Sequence, residues 1–184
     1  GHFITLNGNQ IASILLHHIL SARKQDGSLP ANGAVIMSIV STNLARAICE
    51  DYGVTLFEVL TGFKFVGEKI LEFEKTGSHS FLFGFEESYG YLSGTDVRDK
   101  DAVNAALLVA EAACVCMHEG ITLYERLQQI YQKYGYYIET TWPGTYPGKE
   151  GADKILSIMG TLRGSAPDSI GGLKVLAVRD YLAR

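Results

Sequence analysis

Two adjacent carboxylates and a serine, Glu86, Glu87 and Ser88, follow directly on an apolar run that ends at Phe85. A carboxylate accepts hydrogen bonds, and a serine hydroxyl both donates and accepts them. On an extended segment, side chains two residues apart point to the same side, so Glu86 and Ser88 face the same way. Neighbouring hydroxyls of a sugar require this combination of groups. The spacing therefore predicts a site that binds sugar hydroxyls.

Basic residues stand near this segment in places that suit a phosphate group. Arg98 and Lys100 lie later in the same loop, and Lys64 follows a short turn at 61–63. Each of them precedes or opens a predicted helix, and the free N–H groups and positive dipole end of a helix N-terminus attract anions. Together with the carboxylate–serine pair, these positions predict a ligand with both hydroxyl and phosphate groups.

The loops that carry these residues must be positioned by strands that alternate with helices. The predicted strands lie at 34–40, 54–60 and 80–85, with the tail of a strand at 1–7, a fourth candidate at 136–142 and a last strand within 173–181. The predicted helices cover about 9–24, 44–52, 64–75, 101–118, 121–135 and 152–163. The loop over 84–102 is longer than a strand–helix connection needs, which is typical of functional loops.

This alternation predicts an α/β fold, a layered α/β/α arrangement with a mixed, largely parallel four-stranded sheet. In parallel sheets, ligands bind beyond the carboxyl ends of the strands. The segments 41–43, 61–64 and 86–88 each follow a predicted strand. If those strands are parallel neighbours, all three segments share one edge of the sheet, and the site is expected there.

Composition argues against several classes of function. The 184 residues include 16 basic and 20 acidic side chains, a formal charge of −4, so no nucleic-acid partner is expected. No apolar run approaches the length of a membrane span, and no membrane partner is expected. The histidines lack metal-ligand spacing, so no metal site is predicted. The three cysteines, Cys49, Cys114 and Cys116, are expected to be small buried residues in a reducing compartment, the cytoplasm.

Less specific interpretations exist for the same residues. Glu86 and Ser88 could belong to a solvated loop with a helix cap. Arg98 and Lys100 could have no role beyond capping and charge pairing at the start of a helix. The segment GFKFVGEK (62–69) suggests a nucleotide phosphate loop but lacks the Lys-Ser/Thr that this motif requires. A nucleotide-binding or interaction domain, and a self-standing sugar-phosphate-binding module, stay as alternatives.

Four motifs, in order, resemble the third domain of the α-D-phosphohexomutases. FEESYG (85–90) is similar to the family's G-E-x-S-G sugar-recognition motif, with phenylalanine where the leading glycine is common. LTGFK (60–64) resembles its T-G-aromatic/His-Lys substrate loop, VRDKDA (97–102) its R-E-K-D-G segment, and LNGNQIASILL (6–16) the entry to the domain. The closing KVLAVRDY (174–181) looks like the start of the fourth domain.

The resemblance implies roles for single residues. Glu86 and Ser88 would hold the O3 and O4 hydroxyls of the sugar, which nearly exchange places when the sugar reorients between half-reactions. Lys100 would stand near the reacting phosphate as a general acid or an electrostatic stabiliser. The other substrate-binding residues would border the sugar or supply charge for its phosphate: Thr61, Gly62, Phe63, Lys64 and Arg98.

The resemblance also implies a larger enzyme. Phosphoglucomutases interconvert glucose 1-phosphate and glucose 6-phosphate through glucose 1,6-bisphosphate. A phosphoserine in domain I donates the phosphoryl group, Mg²⁺ is bound in domain II, and domain IV clamps the other phosphate. The sequence contains no phosphoserine loop, aspartate-rich metal loop or domain IV phosphate loop. We therefore expect no cofactor in this chain and no turnover by it alone, with Mg²⁺ and glucose 1,6-bisphosphate required by the full-length enzyme.

The expected partners are a hexose phosphate substrate and domains I, II and IV of the same polypeptide. Residues 9–164 are predicted to form domain III. Residues 1–8 would be the tail of a preceding domain or an expression remnant, and residues 165–184 a linker and the first strand toward domain IV. A phosphomannomutase or phosphopentomutase type of enzyme is the alternative within the same family.

Overall fold

The computed structural model describes residues 3–140 and 143–183. Contacts divide the chain into two compact units, residues 1–139 and 140–184. The helices of the first unit are α1 (Gly8–Gln25), α2 (Leu44–Tyr52), α3 (Lys64–Thr76), α4 (Ala102–His118) and α5 (Leu123–Tyr134). Its strands are β1 (Gly33–Ser38), β2 (Thr55–Val59), β3 (Ser80–Glu86) and β4 (Gly90–Leu92). The second unit contains α6 (Gly148–Gly164), β5 (Ser169–Ile170), β6 (Leu173–Lys174) and a 3₁₀ turn (Tyr181–Ala183).

One four-stranded sheet organises the first unit, with its strands in the order β2-β1-β3-β4. β1 runs parallel to both β2 and β3, and β4 runs antiparallel to β3. In the register of the sheet, Ile36 of β1 lies between Phe57 of β2 and Gly84 of β3. The predicted α/β fold with a mixed, largely parallel four-stranded sheet is confirmed. The carboxyl ends of the three parallel strands therefore lie at one edge of the sheet.

Alternate residues of β1 face two different layers of helices. Val35 and Met37 are buried in a cluster with side chains of α1, α2, α4 and α5, whereas Ala34 and Ile36 pack with Val66 and other residues of α3. Because strand side chains alternate between the two faces, a strand covered on both sides needs a continuous apolar run. All six residues of β1 are buried, which explains the apolar run that predicts a strand at 34–40.

The fourth strand is not where the sequence predicts it. Residues 136–140 form no strand, and the last two residues of that prediction, 141 and 142, lie outside the described residues. The fourth strand is β4, inside the segment 84–102 for which the sequence predicts a loop. A turn of three residues, 87–89, joins it to β3. Three buried residues are too few to produce a recognisable pattern, so pairing with β3 is visible only in the structure.

The start of the chain also differs from the prediction of a strand at 1–7. Residues 3–7 form no strand, and the two before them lie outside the described residues. Asn7 instead caps α1: its Oδ1 accepts a hydrogen bond from the Gln10 N–H, and the Gln10 side chain accepts one from the Asn7 N–H, both at 2.9 Å. This capping box satisfies two backbone donors at the helix start.

The second unit holds α6 and a small hairpin in which Ile170 pairs with Leu173. The strand predicted within 173–181 is therefore limited to its first two residues, where β6 lies. Arg163 Nε at the end of α6 donates a hydrogen bond to Asp180 Oδ2 at 2.9 Å. The predicted domain limits at residues 8 and 164 stay predictions.

The three cysteines are free thiols, but they are not all buried. Cys49 and Cys116 are buried as predicted, whereas Cys114 is exposed, and the prediction for it is wrong. Residues two positions apart on a helix point to different sides, so Cys116 and Cys114 of α4 cannot both face the sheet. Burial raises the pKa of the Cys49 thiol to about 12, which keeps it protonated and unreactive.

Among residues 3–140 and 143–183, no single helix is long and apolar enough to span a membrane. Helices α4 and α5 meet the criteria of length and composition only as a pair, and the two are bent by 84° at the break between them. Both helices contribute buried side chains to the cluster on one face of the sheet.

A partly buried histidine on α1 makes the stability of the fold depend on pH. The His17 ring packs edge-on against Tyr52 and Tyr134, with ring centroids 6.0 and 6.4 Å away. Burial is the main cause that lowers the pKa of His17 from 6.5 to about 4, and the charges of Arg126 and Lys133 act in the same direction. The folded state therefore favours the neutral imidazole.

Because the pKa of His17 is lower in the folded chain than its ordinary value of 6.5, its contribution to stability is complete above pH 6.5 and is lost as the pH falls toward 4. We expect His17 to lower the free energy of unfolding by on the order of 1–2 kcal/mol between pH 7.5 and pH 5. Urea unfolding at both pH values should show a smaller fall for His17→Gln. His118→Gln, at an exposed position, is the control. Equal falls for wild type and His17→Gln would contradict the assignment.

Candidate functional site

Glu86 ends β3 at the edge where the three parallel strands finish. The residue is 7% exposed, and its Oε1 accepts a hydrogen bond from the Gly62 N–H at 2.7 Å. Gly62 has a φ of 121°, a backbone conformation that favours glycine. The carboxylate therefore joins the end of β3 to the loop between β2 and α3. No described residue donates a hydrogen bond to its second oxygen, Oε2, which leaves that oxygen for a ligand.

The turn after Glu86 presents Ser88 to solvent. Ser88 is exposed, and no group in the described parts of the chain forms a hydrogen bond with its hydroxyl. The next residue, Tyr89, has a φ of 64°, in the left-handed region where three-residue hairpin loops commonly place their last residue. The turn therefore places an exposed hydroxyl two residues after Glu86, and the common direction of the two side chains stays a prediction.

Lys100 borders the same edge from the segment that precedes α4. Its ammonium lies 5.1 Å from the centroid of the buried Phe63 ring, a cation–π arrangement, and 2.7 Å from Asp99 Oδ1. Hydrogen bonds from Lys100 lower the pKa of the Asp99 carboxyl. The Lys100 chain passes over Gly90, where a Cβ would stand 2.7 Å from Lys100 Cδ, and Gly90 pairs with Glu86 in the sheet. A positive charge thus stands over the Phe63 ring, on a side chain that passes the residue paired with Glu86.

The remaining predicted residues divide between the edge and the far end of α3. Thr61 and Lys64 are exposed at the edge, and the Lys64 ammonium lies 4.8 Å from the Phe65 ring. Arg98 donates to both carboxylate oxygens of Glu74, at 2.6 and 2.7 Å. Glu74 stands near the C-terminal end of α3, about 15 Å along the helix from its start. The structure therefore shows Arg98 in a charge pair away from the edge, and its role toward substrate stays a prediction.

Sequence analysis places the segment 41–43 at this edge but does not single out Ser38 or the hydrogen bonds that it forms. Ser38, the last residue of β1, has its Oγ 2.8 Å from Ser41 Oγ, and it donates a hydrogen bond to Glu87 Oε2 at 3.2 Å. The Thr42 N–H donates to Asn9 Oδ1 of α1 at 3.1 Å. The signal for these hydrogen bonds in the sequence is a serine at the carboxyl end of a buried apolar strand, because a buried hydroxyl needs a hydrogen-bond partner.

Comparison with known families decides the family. Residues 7–134, most of the chain, match the model described as "Phosphoglucomutase/phosphomannomutase, alpha/beta/alpha domain III". The chain belongs to the phosphoglucomutase/phosphomannomutase family. The resemblance of its motifs to the third phosphohexomutase domain is confirmed, and all eight predicted site residues lie inside the matched segment. The roles of these residues within domain III stay predictions.

Relatives in this family are named as phosphoglucomutases. The chain is 42% identical over 182 residues to the phosphoglucomutase of Staphylococcus aureus strain MSSA476, covering 99% of this chain and 32% of that protein. It is 38% identical over 181 residues to the phosphoglucomutase of Staphylococcus haemolyticus strain JCSC1435, covering 98% of this chain and 32% of that protein. The chain spans about a third of the length of these curated relatives.

A solved structure shares the fold. The open form of parafusin, a phosphoglucomutase from Paramecium, superposes with a TM-score of 0.52 and 22% sequence identity. The match covers 73% of this chain and 22% of that one. At this identity the likeness concerns the architecture of the phosphoglucomutase/phosphomannomutase domain III and not the details of its site.

Proposed function

We propose that this chain is the sugar-recognition domain of a phosphoglucomutase, which interconverts glucose 1-phosphate and glucose 6-phosphate through glucose 1,6-bisphosphate. The observation that carries the proposal is the arrangement of Glu86. One of its oxygens accepts a hydrogen bond from the Gly62 N–H, the other has no donor among the described residues, and the exposed Ser88 follows two residues later. Membership of the family makes the protein a mutase in class, and the relatives named as phosphoglucomutases support glucose phosphates as the substrates.

The pair would bind two neighbouring hydroxyls of the sugar. Glu86 Oε2 accepts a hydrogen bond from one hydroxyl, and the Ser88 hydroxyl both donates and accepts. When the bisphosphate reorients, O3 and O4 nearly exchange places, so one carboxylate and one hydroxyl serve both orientations. A site of this kind rejects analogues that lack a hydroxyl, because its own polar groups would be left without partners.

Lys100 would supply positive charge for the phosphate. Its ammonium is held near the edge by the Phe63 ring and by Asp99. Phosphoryl transfer depends on positioning and on stabilisation of the charge that develops on the phosphoryl oxygens. An ammonium at this place would contribute to that stabilisation. Lys64 and the N-terminus of α3 would add to the positive potential on the other side of the loop.

The residues of this chain do not fit the magnesium ion that the family implies. Within the described ranges, no group of three or more His, Cys, Asp or Glu residues could hold a metal ion. We propose that Mg²⁺, the phosphoryl donor and the second phosphate clamp belong to domains I, II and IV of the same polypeptide. The chain alone is then expected to bind substrate without turnover. We also propose a cytoplasmic location, which the three free thiols support.

An amide NMR titration of this chain with glucose 1,6-bisphosphate tests the proposal. We expect saturable shifts at residues 61–64, 86–90 and 98–100, with a dissociation constant on the order of millimolar because most phosphate contacts of the enzyme are absent. Mannose 1,6-bisphosphate is the comparison within the family, since mannose differs from glucose at C2 and shares O3 and O4. ATP is the control. Shifts of the same amides with ATP and none with the sugar would favour the nucleotide-binding alternative.

A further inference from the structure

The two adjacent carboxylates at the end of β3 bond to different neighbours. Glu86 accepts from the Gly62 N–H at 2.7 Å, on the loop that follows β2. Glu87 accepts from the Ser38 hydroxyl at 3.2 Å, at the end of β1. Glu86 ends β3 and Glu87 begins the turn 87–89, so the two carboxylates reach the ends of different strands. The proposed sugar site uses Glu86, and it leaves Glu87 without a role.

The hydrogen bonds that end on Glu87 have a defined direction. Ser38 is fully buried and Ser41 is 5% exposed, and their hydroxyl oxygens are 2.8 Å apart. An ionised carboxylate only accepts hydrogen bonds, so Ser38 must use its one O–H to donate to Glu87. Ser41 must then donate to Ser38. The result is a partly buried chain of hydrogen bonds, Ser41 to Ser38 to Glu87, which runs from the β1–α2 loop to the turn after β3.

The turn at 87–89, where this chain of hydrogen bonds ends, has an uncommon backbone conformation. Tyr89, its last residue, is in the left-handed region at a φ of 64°, which a bulky side chain adopts only when its surroundings impose it. The start of α1 presses against the turn, because a Cβ on Gly8 would stand 1.8 Å from the Glu87 carbonyl oxygen. The contact at the Glu87 carbonyl and the conformation of Tyr89 both constrain the turn. The Glu87 side chain adds the hydrogen bond that joins the turn to the end of β1.

We propose that Glu87 is a positioning residue: through the Ser41–Ser38 chain it fixes the turn that presents Glu86 and Ser88 to the sugar hydroxyls. This inference rests on the proposed phosphoglucomutase function. Effects of misplacement are large in such sites, since small displacements of binding groups reduce rates strongly. Glu87 itself touches no substrate. Its effect on turnover passes through the two residues that do.

Kinetics of the full-length protein that contains this domain test the positioning role. Glu87→Ala and Ser38→Ala should each lower kcat/KM for glucose 1-phosphate about 10-fold. They should also lower the preference for glucose 1-phosphate over 4-deoxyglucose 1-phosphate, which a merely structural defect would not change. Glu87→Gln keeps an oxygen acceptor for Ser38 and should stay within about threefold of wild type. The control is Ser13→Ala, which removes an equally buried hydroxyl that donates to Asn9 O at 2.8 Å.

Hydrogen exchange in the same variants separates this inference from the proposed function. Amide exchange at residues 86–90 should accelerate about 10-fold in Glu87→Ala and Ser38→Ala, and not in Ser13→Ala. If exchange accelerates but the wild-type protein has no mutase activity, the positioning of the turn stands and the proposed function fails. Unchanged exchange, or a sugar preference that falls no more than in Ser13→Ala, would overturn the positioning role.

Discussion

Glu86→Ala should lower kcat/KM for glucose 1-phosphate about 10³-fold in the full-length protein, because a site built to bond a hydroxyl loses most of its transition-state binding without the acceptor. The circular dichroism spectrum should stay unchanged, since Glu86 stands at the end of a strand and bonds a loop rather than the core. Steady-state kinetics with a coupled assay for glucose 6-phosphate give the measurement.

A second substitution at Glu86 separates the charge of this carboxylate from its hydrogen bond to Gly62. Glu86→Gln keeps one oxygen for the Gly62 N–H and loses the charge, so its kcat/KM should lie between wild type and Glu86→Ala. Glu50→Ala, at an exposed position of α2, is the matched control and should behave as wild type. Turnover by Glu86→Ala within tenfold of wild type would remove Glu86 from the sugar site.

Gly8→Ala should destabilise the first unit by about 3 kcal/mol, although alanine is the better helix former. The added Cβ would stand 1.8 Å from the Glu87 carbonyl oxygen and 3.0 Å from the Tyr89 nitrogen, both backbone atoms that cannot rotate away. Tyr91 also donates its hydroxyl to the Gly8 carbonyl at 2.8 Å, so a shift of α1 would strain a buried hydrogen bond. Urea unfolding followed by circular dichroism measures the loss.

The control for this change is the same substitution in a helix where the added methyl group has open space. A Cβ at Gly160 of α6 would meet no atom of another described segment within 4 Å, so Gly160→Ala should not lower the free energy of unfolding. A Gly8→Ala protein as stable as wild type would show that α1 does not press against the turn after β3.

The central strand β1 could be predicted from sequence because of its burial. β1 is covered on both faces and is apolar over most of its length, and such a run is visible without knowledge of its neighbours. β4 could not be predicted in this way. It has three residues, and what makes it a strand is its pairing with β3 across a short turn. The candidate at 136–142 has strand composition, but its described part, 136–140, pairs with no strand.

The sequence could predict which groups of the candidate site stand close together along the chain. Glu86 ends β3 and Ser88 lies in the turn that follows, and the common direction that their spacing indicates stays a prediction. Contacts between distant segments are not visible in the sequence: Ser38 and Glu87 are 49 residues apart, and Arg98 and Glu74 are 24 apart. Arg98 therefore resembles a phosphate ligand in the sequence, although its guanidinium is engaged by a carboxylate on α3. The sequence shows which polar and charged side chains are present. Only the folded structure shows which of them already form hydrogen bonds or charge pairs with other residues.

The shortness of β4 has a consequence for how the domain behaves at high concentration. A sheet edge exposes backbone N–H and C=O groups that can pair with another chain and start aggregation. β4 forms one edge of this sheet and offers only three residues, too few to template a stable strand from a second molecule. The short hairpin of β3 and β4 thus disfavours pairing with a second molecule at this edge, and β2 is the other edge strand of the sheet.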